Sequence, residues 1–207
     1  HLRAALAEAR RMGLAIVVDA ARTNLGDVLT HLGRDHEARS ELGAAFVSLH
    51  GRGDRRFLGA VHAYLARALV AGGQLGEAER HARLAVEHLR DFAPVHPFSL
   101  AVLAEVLLAS DRPADALDAA DRAMDAVRAG ALLEQGASLV RWTHIASLDA
   151  VGDPAADAAA IEAAALIRER ASRIQNAAWR ESFLERVPEH GATLRRAALA
   201  ARADDPG

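Results

Sequence analysis

The chain has 207 residues, of which 51% are hydrophobic but only 4% aromatic, and its formal charge is -3. That length suits one or two domains with a real core, while the slight negative charge excludes a phosphate-binding surface spread over the whole molecule. Cysteine is absent, which excludes disulfides and thiolate metal sites. No apolar run approaches the roughly 20 residues of a membrane span, and no signal peptide is visible, so the sequence reads as soluble and cytoplasmic.

Fifty residues are alanine, and all 25 basic residues are arginine. Alanine enters a helix at little cost whereas strands favour β-branched and aromatic side chains, so the composition predicts an all-α fold. Arginine without lysine, with so much Ala and Gly, points to a GC-rich bacterial genome. The periodicity predicts helices over 1–12, 15–32, 36–50, 55–71, 75–90, 97–109, 113–129, 134–151 and 155–173, then a terminal pair near 176–186 and 188–202. The chain opens at His1, and Leu2 to Met12 already form an amphipathic helix ending at Gly13. This first stretch, 1–13, is expected to be the second half of an upstream repeat, and the chain a piece of a longer protein. Turns are expected at Gly33-Arg34-Asp35, Gly72-Gly73, Ser110-Asp111 and Gly152-Asp153. The first two use glycine to end a helix. The last two place Pro113 and Pro154 in the first turn of the next helix, where a missing N–H costs nothing.

An internal repeat is the strongest signal. Small residues Gly26, Ala66, Ala104 and Ala146 follow the aliphatic residues Leu25, Leu65, Leu103 and Ile145. Further along each copy come Ala38, Ala78, Ala116 and Ala158, then Ala45, Ala85, Ala123 and Ala165. Small side chains in columns let two antiparallel helices approach closely where they cross. The stretch Asn24-Leu25-Gly26, with Leu29, Gly33, Ala38, Leu42 and Ala45, resembles the Leu-Gly, Tyr, Gly, Ala, Phe and Ala columns of tetratricopeptide (TPR) repeats. Leu65, Ala66, Leu69, Gly73, Ala78 and Ala85 repeat the pattern. The departures are a unit near 40 residues in place of the family's 34, missing Trp and Tyr columns, and Asp149 at an aliphatic position of the fourth copy. The resemblance covers about residues 1–173. It implies a right-handed α-α superhelix, a TPR-like solenoid of about four helix-turn-helix units over 15–53, 54–93, 94–131 and 132–173.

Residues 174–207 break the repeat and are expected to form capping helices and a tail, because the open end of such a stack needs cover. Trp179, Phe183, Leu184 and Val187 fall at helical spacing as an apolar face for that purpose. The tail also resembles the ends of TPR regions attached to large bacterial signalling proteins. Charge is uneven: 104–162 carry eleven acids against four arginines, and 168–202 carry eight arginines against four acids.

Nothing in the sequence points to catalysis, a metal or a cofactor. The ten histidines are scattered, and His81 with His88 and Glu77 along one helix face makes no metal-binding His-x-x-x-His pair. They read as solvated side chains near turns and on exposed faces. Gly51-Arg52-Gly53-Asp54 lacks the ending of a phosphate loop, and no serine stands in a nucleophile elbow.

Surface recognition remains. In a TPR stack the first helix of each unit lines a concave groove, which nominates Thr23, Asp27, Thr30, Tyr64, Arg67, Glu105, Arg141 and His144 as binding residues. Tyr64 beside Arg67 makes a good interface pair, with Arg67 expected to be solvated when unbound. The groove has no lysine, so the carboxylate clamp of chaperone-binding TPR domains is not expected. The expected function is a scaffold or interaction module of a multidomain bacterial signalling protein. Its partner would be a peptide, another protein, or a neighbouring domain of the same protein, and neither nucleic acid nor membrane. The alternative is a small-molecule or inhibitor sensor of a transcriptional regulator. Self-association through the exposed terminal helix is a further expectation.

Overall fold

In the computed structural model, which describes residues 1–133 and 135–203, the described residues form eleven helices and no strand. Position 134, where the eighth helix is expected to start, and the end of the tail lie outside the described residues. The first five helices are α1 (Leu2–Arg11), α2 (Ala15–His31), α3 (Asp35–Arg52), α4 (Arg55–Ala71) and α5 (Leu75–Leu89). They are followed by α6 (His96–Ala109), α7 (Pro113–Arg128), α8 (Ala137–Val151) and α9 (Ala155–Ser172). The chain ends with α10 (Ala177–Glu185) and α11 (Pro188–Ala203). These bounds follow the predicted ones closely because local chemistry sets them. Asp54 caps α4 by accepting from the Phe57 N–H at 3.2 Å, and Asn176 caps α10 by accepting from Trp179 at 3.0 Å. Pro113 and Pro188 open their helices.

Each helix packs on the next through α9, and α2, α4, α6 and α8 also touch one another in that order. The helices between them, α3, α5, α7 and α9, make no such mutual contacts. One row of helices therefore runs through the middle, with the alternate helices laid against it. Membership of that row explains why α4 and α6 are apolar on nearly every side: the whole run from Pro97 to Ala104 is buried, as is Val61 to Ala66.

The small-residue columns sit at the crossings. Ala38, Ala45, Ala78, Ala85, Ala116 and Ala123 are fully buried. A Cβ added at Gly26 would run into the side chain of Leu42, so α2 and α3 meet there only because glycine leaves room. The fourth unit departs from expectation. Ala158 and Ala165 are exposed, and Ala146 is only half-buried. The buried positions include Ala156, Ala160, Ala163 and Ile167, with the same spacing as Ala38, Leu42, Ala45 and Leu49 but starting two residues earlier than expected. The turn explains the shift. In the first three turns a cap residue (Leu32, Gly72 or Ser110) precedes the left-handed residue, which is Gly33, Gly73 or Asp111. Helix α8 instead ends directly on left-handed Gly152, and Pro154 then leads into α9. The different turn re-aims α9.

Cover for the last unit comes from α11, which packs on α9 and α8. It buries Thr193, Ala197 and Ala200, and its Arg196 bridges Asp149 at 2.7 Å and Asp157 at 2.6 Å. Asp149, anomalous in the repeat, is thus the acid that receives the terminal helix. The expected apolar seal is corrected: Trp179 is 72% exposed and α10 buries no residue fully, because α10 touches only α9 and α11.

Ala78→Leu should cost about 1–3 kcal/mol through overpacking at a fully buried crossing. Ala158→Leu, on the exposed side of α9, should be near neutral. Urea denaturation of both variants checks the pair.

Candidate functional site

Asp27, Arg67 and Glu105 occupy the position just after the small residue in successive units, following Gly26, Ala66 and Ala104. Because α2, α4 and α6 lie side by side, the repeat itself sets these three charges next to one another. Arg67 Nε donates to Glu105 Oε2 at 2.9 Å, and its Nη1 lies 3.7 Å from Asp27 Oδ1. A third carboxylate arrives from outside the repeat: Arg67 Nη2 donates to Glu189 Oε1, in the first turn of α11, at 2.9 Å.

One guanidinium therefore serves three carboxylates. Its side chain is only 14% exposed, which corrects the expectation of a solvated groove charge. Burial opposes the charge on Arg67, but Glu105, Glu189 and Asp27 outweigh it and hold the guanidinium more firmly protonated than usual. Asp27 lies above the usual carboxylate range, because burial dominates the help it receives from Arg67 and His31. Tyr64, one turn before Arg67, is buried at 9% exposure, and burial with the charge of Asp27 pushes its phenol up. Its hydroxyl donates to Gln135 Oε1 at 3.3 Å, and its ring packs on Phe98 with centroids 5.5 Å apart. Phe98 in turn lies against left-handed Gly136, where a Cβ would collide with the ring. This contact brings the start of α8 up to α6.

The result is an open cavity of about 450 Å³ bordered by Asp27, Tyr64, Arg67, Gln135, Arg170 and Glu189, among others. Of the eight residues nominated from sequence, Asp27, Tyr64 and Arg67 line it, and Glu105 pairs with Arg67 from α6. Arg141 and His144 border a neighbouring cavity of about 300 Å³ between α7, α8 and α9. His144 is buried there, with Nε2 3.0 Å from Asp121 Oδ1, and burial lowers its pKa despite that acid. The Thr23 and Thr30 hydroxyls donate to the carbonyls of Asp19 and Gly26, one helical turn back, and Thr23 also borders a separate cavity of about 180 Å³ with Tyr64 and Gln135. Gln135, Arg170 and Glu189 were not among the nominations. Gln135 lies in an irregular connection, and Arg170 and Glu189 belong to segments whose placement the repeat does not dictate.

The histidines also need correction. His62 is buried at 5% exposure, with Nδ1 2.7 Å from His81 Nδ1 and its ring stacked on His88 at 5.5 Å. Phe46 lies against His62 at 5.3 Å and His50 against Phe46 at 5.5 Å, closing a cluster between α3, α4 and α5. The helical register of α5 shows His81 and His88 on one face, but only the packing of α4 reveals His62 between them. Among the described residues, no group of three or more His, Asp or Glu is arranged to hold a metal ion, and no helix is long and apolar enough to cross a membrane. No protein-family profile matches this sequence, and comparison with curated proteins finds no match.

Arg67→Ala would leave Asp27, Glu105 and Glu189 without their shared cation. The variant should lose about 3–5 kcal/mol, the usual cost of removing one partner from a buried pair, measurable by denaturant unfolding.

The His62 cluster makes stability depend on pH with a definite sign. Burial, then the neighbouring His81, His88, Arg80 and His50, lower His62 from 6.5 to about 4. Burial also lowers His81 and His88, with Glu77 and Glu87 opposing and Arg80 and Arg55 assisting. The unfolded chain takes up a proton on His62 below pH 6.5 that the native protein refuses until about pH 4, and the lowered His81 and His88 act in the same direction. Stability should therefore be complete above that window and fall as pH drops through it. Thermal melts across the window should show the decline. His62→Phe, which keeps a ring against Phe46 without a titrating nitrogen, should make it shallower.

Proposed function

We propose that this chain is a protein-interaction module: a TPR-like α-solenoid that binds an extended peptide or a neighbouring domain along its inner row of helices. The supporting observation is the open cavity at Arg67, to which α2, α4, α8, α9 and α11 all contribute, with charged and amide side chains on its rim. A small-molecule sensor calls for an enclosed apolar pocket with a few fixed polar groups. The cavity here is wide, polar and shared between units, the form suited to reading a chain segment. The contacts within the row of α2, α4, α6 and α8 support the solenoid reading, the alanine- and arginine-rich composition favours a bacterial source, and the signalling setting rests on the resemblance of the tail alone.

A displayed random-peptide library selected against the folded chain tests the proposal. Selected peptides should lose at least tenfold in affinity, about 1.4 kcal/mol, in Tyr64→Phe or Gln135→Ala. The first keeps the packing on Phe98 and removes the hydroxyl, and the second removes its partner. Selection that yields only peptides indifferent to both changes would place recognition elsewhere. Saturable binding from a metabolite panel, with no peptide selected, would favour the sensor reading.

A further inference from the structure

Two arginines beside the groove are without an acid partner among the described residues, unlike Arg67. Arg67, Arg112, Arg173 and Arg196 all donate to carboxylates. Arg141 on α8 and the exposed Arg170 near the end of α9 line one small open cleft of about 20 Å³, room for a single small group, together with Ser138, Leu166, Ile167 and Thr193. Among the described residues, neither has a carboxylate within ion-pair distance. The one hydrogen bond of Arg141 reaches back 3.5 Å to the Ala137 carbonyl of its own helix.

The rest of the cavity wall offers little to an anion. The Ser138 hydroxyl lies 2.7 Å from His190 Nε2, and the Thr193 hydroxyl donates to the Glu189 carbonyl at 2.7 Å. The His190 ring is itself oriented by Nδ1, which donates to the Phe183 carbonyl at 2.7 Å, so in the neutral ring Nε2 accepts from Ser138. The two guanidinium groups are what remains to donate. Burial and the charge of Arg170 both work against protonated Arg141, and Glu162 compensates only in part. Half-buried Arg141 and exposed Arg170 border the same cleft, so an occupant of opposite sign would offset the charge that burial opposes on Arg141.

We propose that Arg141 and Arg170 form a seat for a carboxylate of an acidic peptide segment lying in the groove. This inference rests on the interaction-module reading above and names the partner's chemistry. A planar guanidinium fork matches the two oxygens of a carboxylate, and a second fork allows both to be held. The seat is continuous with the groove, since Ala137, Ser138 and Arg170 border both cavities. Charge complementarity sets the direction of the ligand. At one end, Asp27, Glu105 and Glu189 surround a single Arg67, leaving that end net negative. At the other, neither arginine has an ion-pair partner among the described residues, and Glu162 offsets Arg141 only in part. A bound segment should therefore carry its acidic residues over Arg141 and Arg170 and be neutral or basic over Asp27 and Glu189.

The probes are a labelled Gly/Ser peptide ending in glutamates, the same peptide with glutamines in their place, and inorganic phosphate, followed by anisotropy and calorimetry. The glutamate peptide should bind the full chain, weaken as salt is raised, and lose about tenfold or more in Arg141→Gln and Arg170→Gln. Arg173→Gln, which changes an exposed arginine paired with Glu169, should leave binding unchanged. Without ligand, Arg141→Gln should melt no lower than the native protein, because a like-charge repulsion is removed. A purely structural Arg141 would lower the melt. Equal binding of the glutamine peptide, or undiminished affinity in both arginine variants, overturns the proposal. Phosphate binding that needs both arginines, with no peptide binding, also overturns it and leaves a free-anion site. If library-selected peptides depend on Tyr64 or Gln135 but ignore both arginines, the seat is wrong and the interaction module stands. If no peptide of any charge binds, both fall.

Discussion

Close approach of paired helices through small side chains is the constraint on which this molecule depends. Alanine buries little apolar surface of its own, so a crossing made of Ala38, Ala78 or Ala116 contributes less to the hydrophobic term than one made of leucine. What it provides is proximity. With the crossing points thin, the larger side chains beside them, such as Leu29, Leu42, Leu49 and Leu89, reach across the narrow gap and are sealed almost completely. The same thinness brings neighbouring first helices close enough for residues in one repeat column to bond each other. The Asp27, Arg67 and Glu105 row is a by-product of that spacing, and a bulkier column would move the helix axes apart and separate the charges.

Arg67 turns this row into a tie between distant parts of the chain. Ion pairs within the repeat require only that the units stack. The bond to Glu189 requires more, because α11 must place its first turn over the groove while its later turns pack on α8 and α9. A buried ion pair is weak evidence of stability, since desolvation offsets much of the attraction. Its effect here is on geometry: three carboxylates share one cation, so the start of α11 has a strong reason to sit where it does. Arg196, held by Asp149 and Asp157, anchors the other half of the same helix. A ligand in the groove would touch Glu189 and Tyr64 together, so occupancy and the docking of α11 act on the same set of bonds.

Much of the helical layout was legible because it is written locally. Caps, prolines and glycines set helix ends within a few residues, and the columns of the first three units were readable as repeats. The fourth column failed because alanine is so common in α9 that Ala156 and Ala158 look equally suitable in sequence. Only the different turn at Gly152 chooses between them. Trp179 failed for a related reason. Helical spacing puts it on a face with Phe183, but which face is covered depends on what lies opposite, and α10 is a short helix at the edge. The candidate site was half legible. Asp27, Tyr64, Arg67 and Glu105 follow from repeat position, whereas Glu189, Gln135 and Arg170 are brought in by packing outside the repeat. His62 escaped because its burial comes from α3 and α5 closing over it, and the chemistry of an isolated histidine in sequence does not reveal that.

The uneven charge of the chain acquires a physical meaning once the helices are placed. Acids dominate 104–162 and arginines dominate 168–202, and the two segments meet where α9 and α11 pack on α8 and on each other. Arg196 pairs there with two acids. Arg141 and Arg170 are left over, although Glu162 stands on the helix that carries Arg170 and Asp121 is already engaged by His144. A packing that merely neutralised the surface would have brought an acid to one of them. Charges left unpaired beside a groove whose other members are bonded several times over are a local inconsistency of the kind that folded chains retain at sites of use. The contrast between Arg67, held by three carboxylates, and the arginine pair, held by none, gives the groove opposite charge at its two ends, and the acidic segment proposed above would align along that difference.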